Sequence, residues 1–147
     1  DYVRAQFNLG IMYDNGEGVL ENNKTAVKWY TKSADQGHAD AQSQLGLMYY
    51  NGTGVLKNDK TAVFWWTKAA KQGHSKAQFV LGLQYGLGEG VLTNDIKAYM
   101  WHNLAAYNGY REAAEYKDII AKQMTNEQIA KAQELSQQCL DSDYKDC

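Results

Sequence analysis

A chain of 147 residues is long enough for one domain with a sizeable core and too short for two ordinary ones. Apolar residues make up 44% of it, which excludes a disordered chain, and 15 basic against 17 acidic residues leave a charge of −2, which excludes the basic field needed to hold nucleic acid or an anionic membrane. The longest strictly apolar run, Ala62–Trp66, falls far short of the roughly 18 residues that span a bilayer, so no membrane insertion is expected.

Shifting the chain by 36 residues lays residues 5–37 on 41–73 without a gap, and 22 of those 33 positions are identical. A third copy, 77–109, keeps the register. In each unit the first apolar stripe is helical: Ala5, Leu9, Met12 and Tyr13 line one face of a helix A from about Arg4 to Asn15, repeated by Ala41, Leu45, Met48 and Tyr49. Gly16 then falls where a left-handed C-cap favours glycine, as do Gly52 and Gly88, and a second glycine two residues on turns the chain back. Val19, Val55 and Val91, each followed by leucine, are expected to plug the ends of their hairpins. Asn22, Asn58 and Asn94 are placed to cap a helix B whose buried stripe is read as Ala26, Trp29 and Ala34. Each unit is thus an antiparallel helical hairpin.

Gly10, Gly46 and Gly82 lie inside helix A, where glycine costs about 1 kcal/mol relative to alanine. Close approach of another helix, as the stacking of successive hairpins requires, accounts for all three, and leucine there should harm far more than alanine. The last 36 residues lack these glycines and the tryptophan and read as a terminal cap. The fold class expected is all-α, a right-handed α-solenoid (alpha-alpha superhelix) of stacked hairpins: one domain with units at 4–39, 40–75 and 76–111 and a capping helix pair at 112–147.

These residues resemble the Sel-one-like repeat (SLR) family, a branch of the tetratricopeptide superfamily, in its bacterial type. Its pattern is A-x-x-x-L-G-x-M-Y-x-x-G-x-G-V, an Asn or Asp cap, then A-x-x-W-Y-x-K-A-A and a closing glycine. Units one and two match nearly throughout; unit three departs with Gln84 for Met and Leu104 for Lys. The resemblance implies a scaffold, and it names no partner.

Several residues invite a chemical reading that ordinary packing accounts for equally well. Trp29, Trp65 and Trp101 could stack nucleic acid bases, but they sit on the helix B core stripe without a basic groove, so no nucleic acid is expected. His38 and His74 occupy equivalent positions, roughly 8 to 10 Å apart if units stack as helices do, too far for one zinc with nitrogens about 2 Å away. They read as helix-start polar residues, with no metal and no cofactor; His102 replaces Tyr30 and Trp66 and belongs to another face. The run Gly86–Gly90 lacks the lysine and hydroxyl of a phosphate loop. Asp14, Glu17 and Glu89 form no acid/base pair and read as solvated loop charges. Ser142-Asp143-Tyr144-Lys145 matches S-x-x-K, the nucleophile pattern of β-lactam enzymes, in a polar tail without the K-T-G companion. No catalytic residue is assigned.

Cys139 and Cys147, the only cysteines, are read as a disulfide that folds the tail onto the capping helix, worth roughly 2.5 kcal/mol on the chain-entropy model. Such a bond, and a first residue that is Asp rather than Met, suit a processed or excised chain in a periplasmic or secreted bacterial setting, with the cytoplasm as the alternative. The expected activity is binding of a protein or peptide in a concave groove formed by the A helices. Outward positions that differ between units select Arg4, Asn8 and Asn15; Asp40, Gln44 and Asn51; and Lys76, Val80 and Leu87. The other readings are a secreted SLR protein that binds or hydrolyses β-lactams, a structural spacer in a larger envelope assembly, and a homodimer through an uncapped N-terminal edge.

Overall fold

The structure, a computed structural model, describes residues 2–147. Eight α-helices run in order: α1 Tyr2–Asn15, α2 Asn23–Asp35, α3 Ala39–Asn51, α4 Asp59–Ala70, α5 Ser75–Leu87, α6 Asp95–Tyr107, α7 Glu112–Ala121 and α8 Asn126–Asp141. No strand occurs among the described residues. Helices α1, α3 and α5 are the A helices of the three units, and α2, α4 and α6 the B helices.

The turns form for the reasons the sequence suggests. Gly52 and Gly88 close α3 and α5 at φ of 71° and 75°, each amide donating back to the helix. The Asn22, Asn58 and Asn94 side chains accept from the amides of Thr25, Thr61 and Lys97, satisfying a first-turn donor of each B helix. His38 and His74 cap α3 and α5 in the same manner, each Nδ1 accepting from an amide three residues on. Thr125 and Gln128 form a reciprocal capping box at α8.

The chain divides into two compact units, one ending at Ala69 and the other running from Ala70 to Cys147. In the first, Ala26, Val27, Tyr30 and Ala34 of α2 share a core with Ala41, Leu45 and Met48 of α3 and with Trp65. Val55 packs against this core as expected, but the leucine after it does not: Leu56 is 91% exposed, and Leu20 and Leu92 are equally bare. In the second, Ala98 and Tyr99 of α6 form a core with Ile120, Met124 and Ala132 from the α7–α8 region. Met100 and Leu104 are buried there, at positions where the first two units expose Lys28 and Lys32, and Phe64 and Lys68. The departure of Leu104 from lysine thus belongs to a helix that α7 and α8 cover.

The helix A glycines explain themselves differently from the expectation. A Cβ built on Gly10 would stand 2.5 Å from the Tyr30 ring, on Gly46 2.5 Å from the Trp66 indole, and on Gly82 2.7 Å from the His102 imidazole. The close approach is therefore made within each hairpin, by a ring of its own helix B, and not by a stacked neighbour. Alanine is already too large.

The ring that fills this gap is also not the one on the anticipated stripe. Trp29 is half-buried with the Lys32 ammonium 4.4 Å over its ring, whereas Tyr30 beside it is wholly buried. Trp65 and Trp101 do reach the core, at 8% and 3% exposure.

Replacing Gly46 with alanine should lower the unfolding free energy by roughly 1–3 kcal/mol through overpacking, although alanine is the better helix former. Urea melts check this. The loss should shrink when Trp66→Leu removes the ring, so an equal loss in both backgrounds would show that the ring is not what excludes the methyl.

Candidate functional site

A repeat of this kind can offer function only where a side chain is not already spent on packing. In each unit the residue after the alanine of the shared stripe (Ala5, Ala41 and Ala77) is a buried glutamine. Gln42 donates Nε2 to the Ala34 carbonyl at 3.0 Å, and Gln78 donates to the Ala70 carbonyl at 3.1 Å. Gln42 thus fastens the open end of α2 to α3, where the last carbonyls lack intrahelical partners, and Gln78 makes the equivalent bond within the second unit. Gln78 also accepts from Asn108 at 2.9 Å, and Gln6 from Gln36 at 2.6 Å. These positions are structural.

The rings facing the glycines differ in how they satisfy their polar atoms. The Tyr30 hydroxyl donates to Asp14 at 3.2 Å and bonds with Gln44, and burial, reinforced by the Asp14 charge, raises its pKa. Trp66 Nε1–H donates to the Ser43 carbonyl at 3.1 Å. His102 is completely buried against Phe79 and Tyr116, and neither of its ring nitrogens has a partner among the described residues. Burial without a partner penalises the imidazolium and pushes its pKa down to about 4.

Of the outward helix A positions, Arg4, Asn8 and Asn15 are exposed on α1, and Asp40 and Asn51 on α3. Gln44 is half-buried and engaged with Tyr30. Lys76 and Leu87 are exposed on α5, while Val80 is half-buried. The α1 stripe is less covered than its copy: Ala5 is exposed and Leu9 and Met12 are half-buried, whereas Ala41, Leu45 and Met48 are 0%, 0% and 4% exposed.

At the C-terminus the Cys139 and Cys147 sulfurs stand at disulfide distance, with Cα atoms 4.8 Å apart. Between them the chain reverses through two non-glycine residues in the left-handed region, Asp143 at φ 51° and Tyr144 at φ 64°. Tyr144 is anchored twice: its ring lies over Gly73, and its hydroxyl both donates to and accepts from the Asn108 amide, at 3.0 and 2.8 Å. Ser142 donates to the Cys139 carbonyl and accepts from the Asp146 amide, so its hydroxyl is tied into this reversal.

A family model described as Sel1 repeat matches residues 3–38, 39–74 and 75–110. The chain belongs to the Sel1 repeat family. A crystal structure of a Sel1 repeat protein from Oxalobacter formigenes is 43% identical over 76% of this chain, with a TM-score of 0.74. A protective antigen present in uropathogenic Escherichia coli strains, described as displaying an SLR fold, is 31% identical over 97% of the chain, with a TM-score of 0.64. The chain spans 44% and 39% of the lengths of these two. Helicobacter pylori cysteine rich protein B, 21% identical, shares the fold with a TM-score of 0.67 over 78% of this chain and 88% of that one. No curated protein matches. The fold is the all-helical SLR solenoid type, and Sel1 repeat proteins act in general as protein-interaction scaffolds, typically non-catalytic ones.

His102 gives the fold a pH dependence of definite sign. Between pH 6.5 and about 4 the unfolded chain binds a proton that the folded chain refuses, so stability falls as pH falls through this window. The loss should approach roughly 3 kcal/mol below pH 4. In denaturant melts from pH 7.5 to 4, His102→Phe, which keeps a ring against Gly82, should flatten that part of the profile; parallel wild-type and variant profiles would contradict the assignment.

Proposed function

We propose that this chain is a non-catalytic interaction module that binds an extended peptide or protein segment through the variable, outward positions of its A helices. The observation that carries the reading is a division of labour within helix A. The glycine and the glutamine common to the units are consumed by packing, while Arg4, Asn8, Asn15, Asp40 and Asn51 in the first compact unit, and Lys76 and Leu87 in the second, are exposed; Arg4, Asp40 and Lys76 are three different residues at one repeat position, and Leu87 replaces the asparagine of Asn15 and Asn51. Such positions can be read by a partner without disturbing the fold. Gln44 and Val80 border these sets, with Gln44 held by Tyr30. The family's general role as a protein-interaction scaffold supports the same reading.

A periplasmic or secreted setting accompanies this proposal, because a closed Cys139–Cys147 pair persists in an oxidising compartment and the similar uropathogenic E. coli protein is described as a protective antigen. No helix among the described residues is long and apolar enough to cross a membrane. Self-association through α1 is the second reading, favoured by the exposed Ala5 and the half-buried Leu9 and Met12.

Pull-down from a bacterial envelope extract, quantified by mass spectrometry, tests the binding surface. Proteins retained by the wild type should be lost with Asn8→Ala/Asp40→Ala/Leu87→Asp; identical retention would refute the site. Light scattering of the wild type over a wide concentration range should show a monomer, and a dimer abolished by Leu9→Asp would favour self-association instead. For the cysteines, thiol titration of unreduced, denatured protein should find no free thiol, and reduction should cost roughly 2 kcal/mol of stability. Two titratable thiols would remove the argument for an oxidising compartment.

A further inference from the structure

We propose that the first compact unit carries a second docking site, away from the outward face of helix A, for a partner peptide in which a large aliphatic residue stands next to a carboxylate. The site is an open-sided depression of about 440 Å³ lined by Lys24 at the start of α2 and by Gly52, Gly54, Val55 and Leu56 of the loop between α3 and α4. That volume is within the range of ligand clefts, roughly 300–1,000 Å³.

Leu56 stands at this depression with 91% of its surface in water, and it is not exposed through looseness of the loop. Gly52 and Gly54 both hold φ at 71°, the Thr53 amide donates to the Met48 carbonyl at 2.9 Å, and the Asn58 amide to the Tyr49 carbonyl at 2.9 Å. Val55 anchors the loop in the core, and Gly54 lies so close to the start of α2 that a Cβ would stand 2.5 Å from the Asn23 carbonyl oxygen. A fixed loop therefore presents an aliphatic side chain to solvent. The same placement occurs at Leu20, 89% exposed, and in the other compact unit at Leu92, 90% exposed. Isolated apolar residues on a surface need no explanation, but an ordered turn that repeats the same bare leucine does.

Charge selects the occupant. Lys24 is the one ionisable residue lining the depression, it is exposed, and it pairs with no carboxylate among the described residues. Lys28 and Lys32 follow at one-turn spacings on the same face of α2, both exposed, so the cationic side continues along the helix. An apolar wall beside an unpaired ammonium complements an aliphatic side chain with a neighbouring carboxylate. The open side suits a chain that passes over the site, as a peptide does, and not an acyl tail that must be enclosed.

The test is an immobilised array of random octapeptides probed with the fluorescently labelled full chain. The sequences retained should pair Leu, Ile or Val with Asp or Glu within two positions. Their affinity should fall at least tenfold with Lys24→Glu and with Leu56→Asp, both at exposed positions, and should survive Lys24→Arg. It should also survive Asn8→Ala/Asp40→Ala/Leu87→Asp, which separates this site from the helix A surface. No retained octapeptide, retention of basic or uncharged sequences, or unchanged affinity in both Lys24→Glu and Leu56→Asp would overturn the proposal.

Discussion

Each hairpin of this protein is closed by one contact, in which a ring from helix B lies where a side chain on helix A would otherwise be. Gly10 meets Tyr30, Gly46 meets Trp66 and Gly82 meets His102, and in none of the three is there room for a methyl group. The penalty of an interior helical glycine is offset by burying a large flat side chain almost completely against backbone, which maximises dispersion contact per residue. Three other features depend on that geometry. It brings the two helices of a hairpin close enough for the short glycine turns to join them, it sets which face of helix A remains outward, and it leaves the end of α2 where the buried Gln42 reaches it.

The contact tolerates different rings at unequal cost. Tyrosine and tryptophan place their polar atoms on Asp14 and the Ser43 carbonyl, whereas the imidazole of His102 is smaller and reaches neither kind of partner. The second compact unit thus carries a buried polar group with no partner among the described residues, against Phe79 and Tyr116. Such a group is expensive in a low-dielectric interior. The same unit holds the tail reversal at Asp143 and Tyr144, the two non-glycine residues at positive φ among those described.

Much of this architecture was legible in the sequence because it is written in residues with a single local meaning. The 36-residue register, the paired glycines of each turn, the asparagine caps and the terminal cap all rest on backbone constraints that do not depend on neighbours far away. What was not legible depended on rotation about a helix axis. Trp29 and Tyr30 are adjacent, and one position on a helix is about 100°; both are large aromatics, so composition could not say which turns toward Gly10. The burial of Gln42 and Gln78 was not legible either, because each is held by a carbonyl near the end of the preceding helix rather than by anything in its own helix. Val19, Val55 and Val91 read as plugs, and Val55 does pack against the core; that the leucine after each stands bare was not legible, because two adjacent apolar residues in a turn do not say which of them turns inward. Of the nine outward positions, Gln44 was the least legible, since its role at Tyr30 depends on a ring from the preceding unit.

A surface built this way separates fold from recognition. Positions that touch the glycine–ring contact are fixed by sterics, and the exposed positions on helix A, together with the leucine turns, are free to vary in chemistry without cost to the hairpin. The most direct measurement of the contact is proton NMR on uniformly labelled protein. The Hα signals of Gly10, Gly46 and Gly82 should be displaced by ring currents and should show Overhauser contacts to Tyr30, Trp66 and His102, respectively. Glycine signals at ordinary positions, with Overhauser contacts to Trp29, Trp65 and Trp101 instead, would contradict the account at its base.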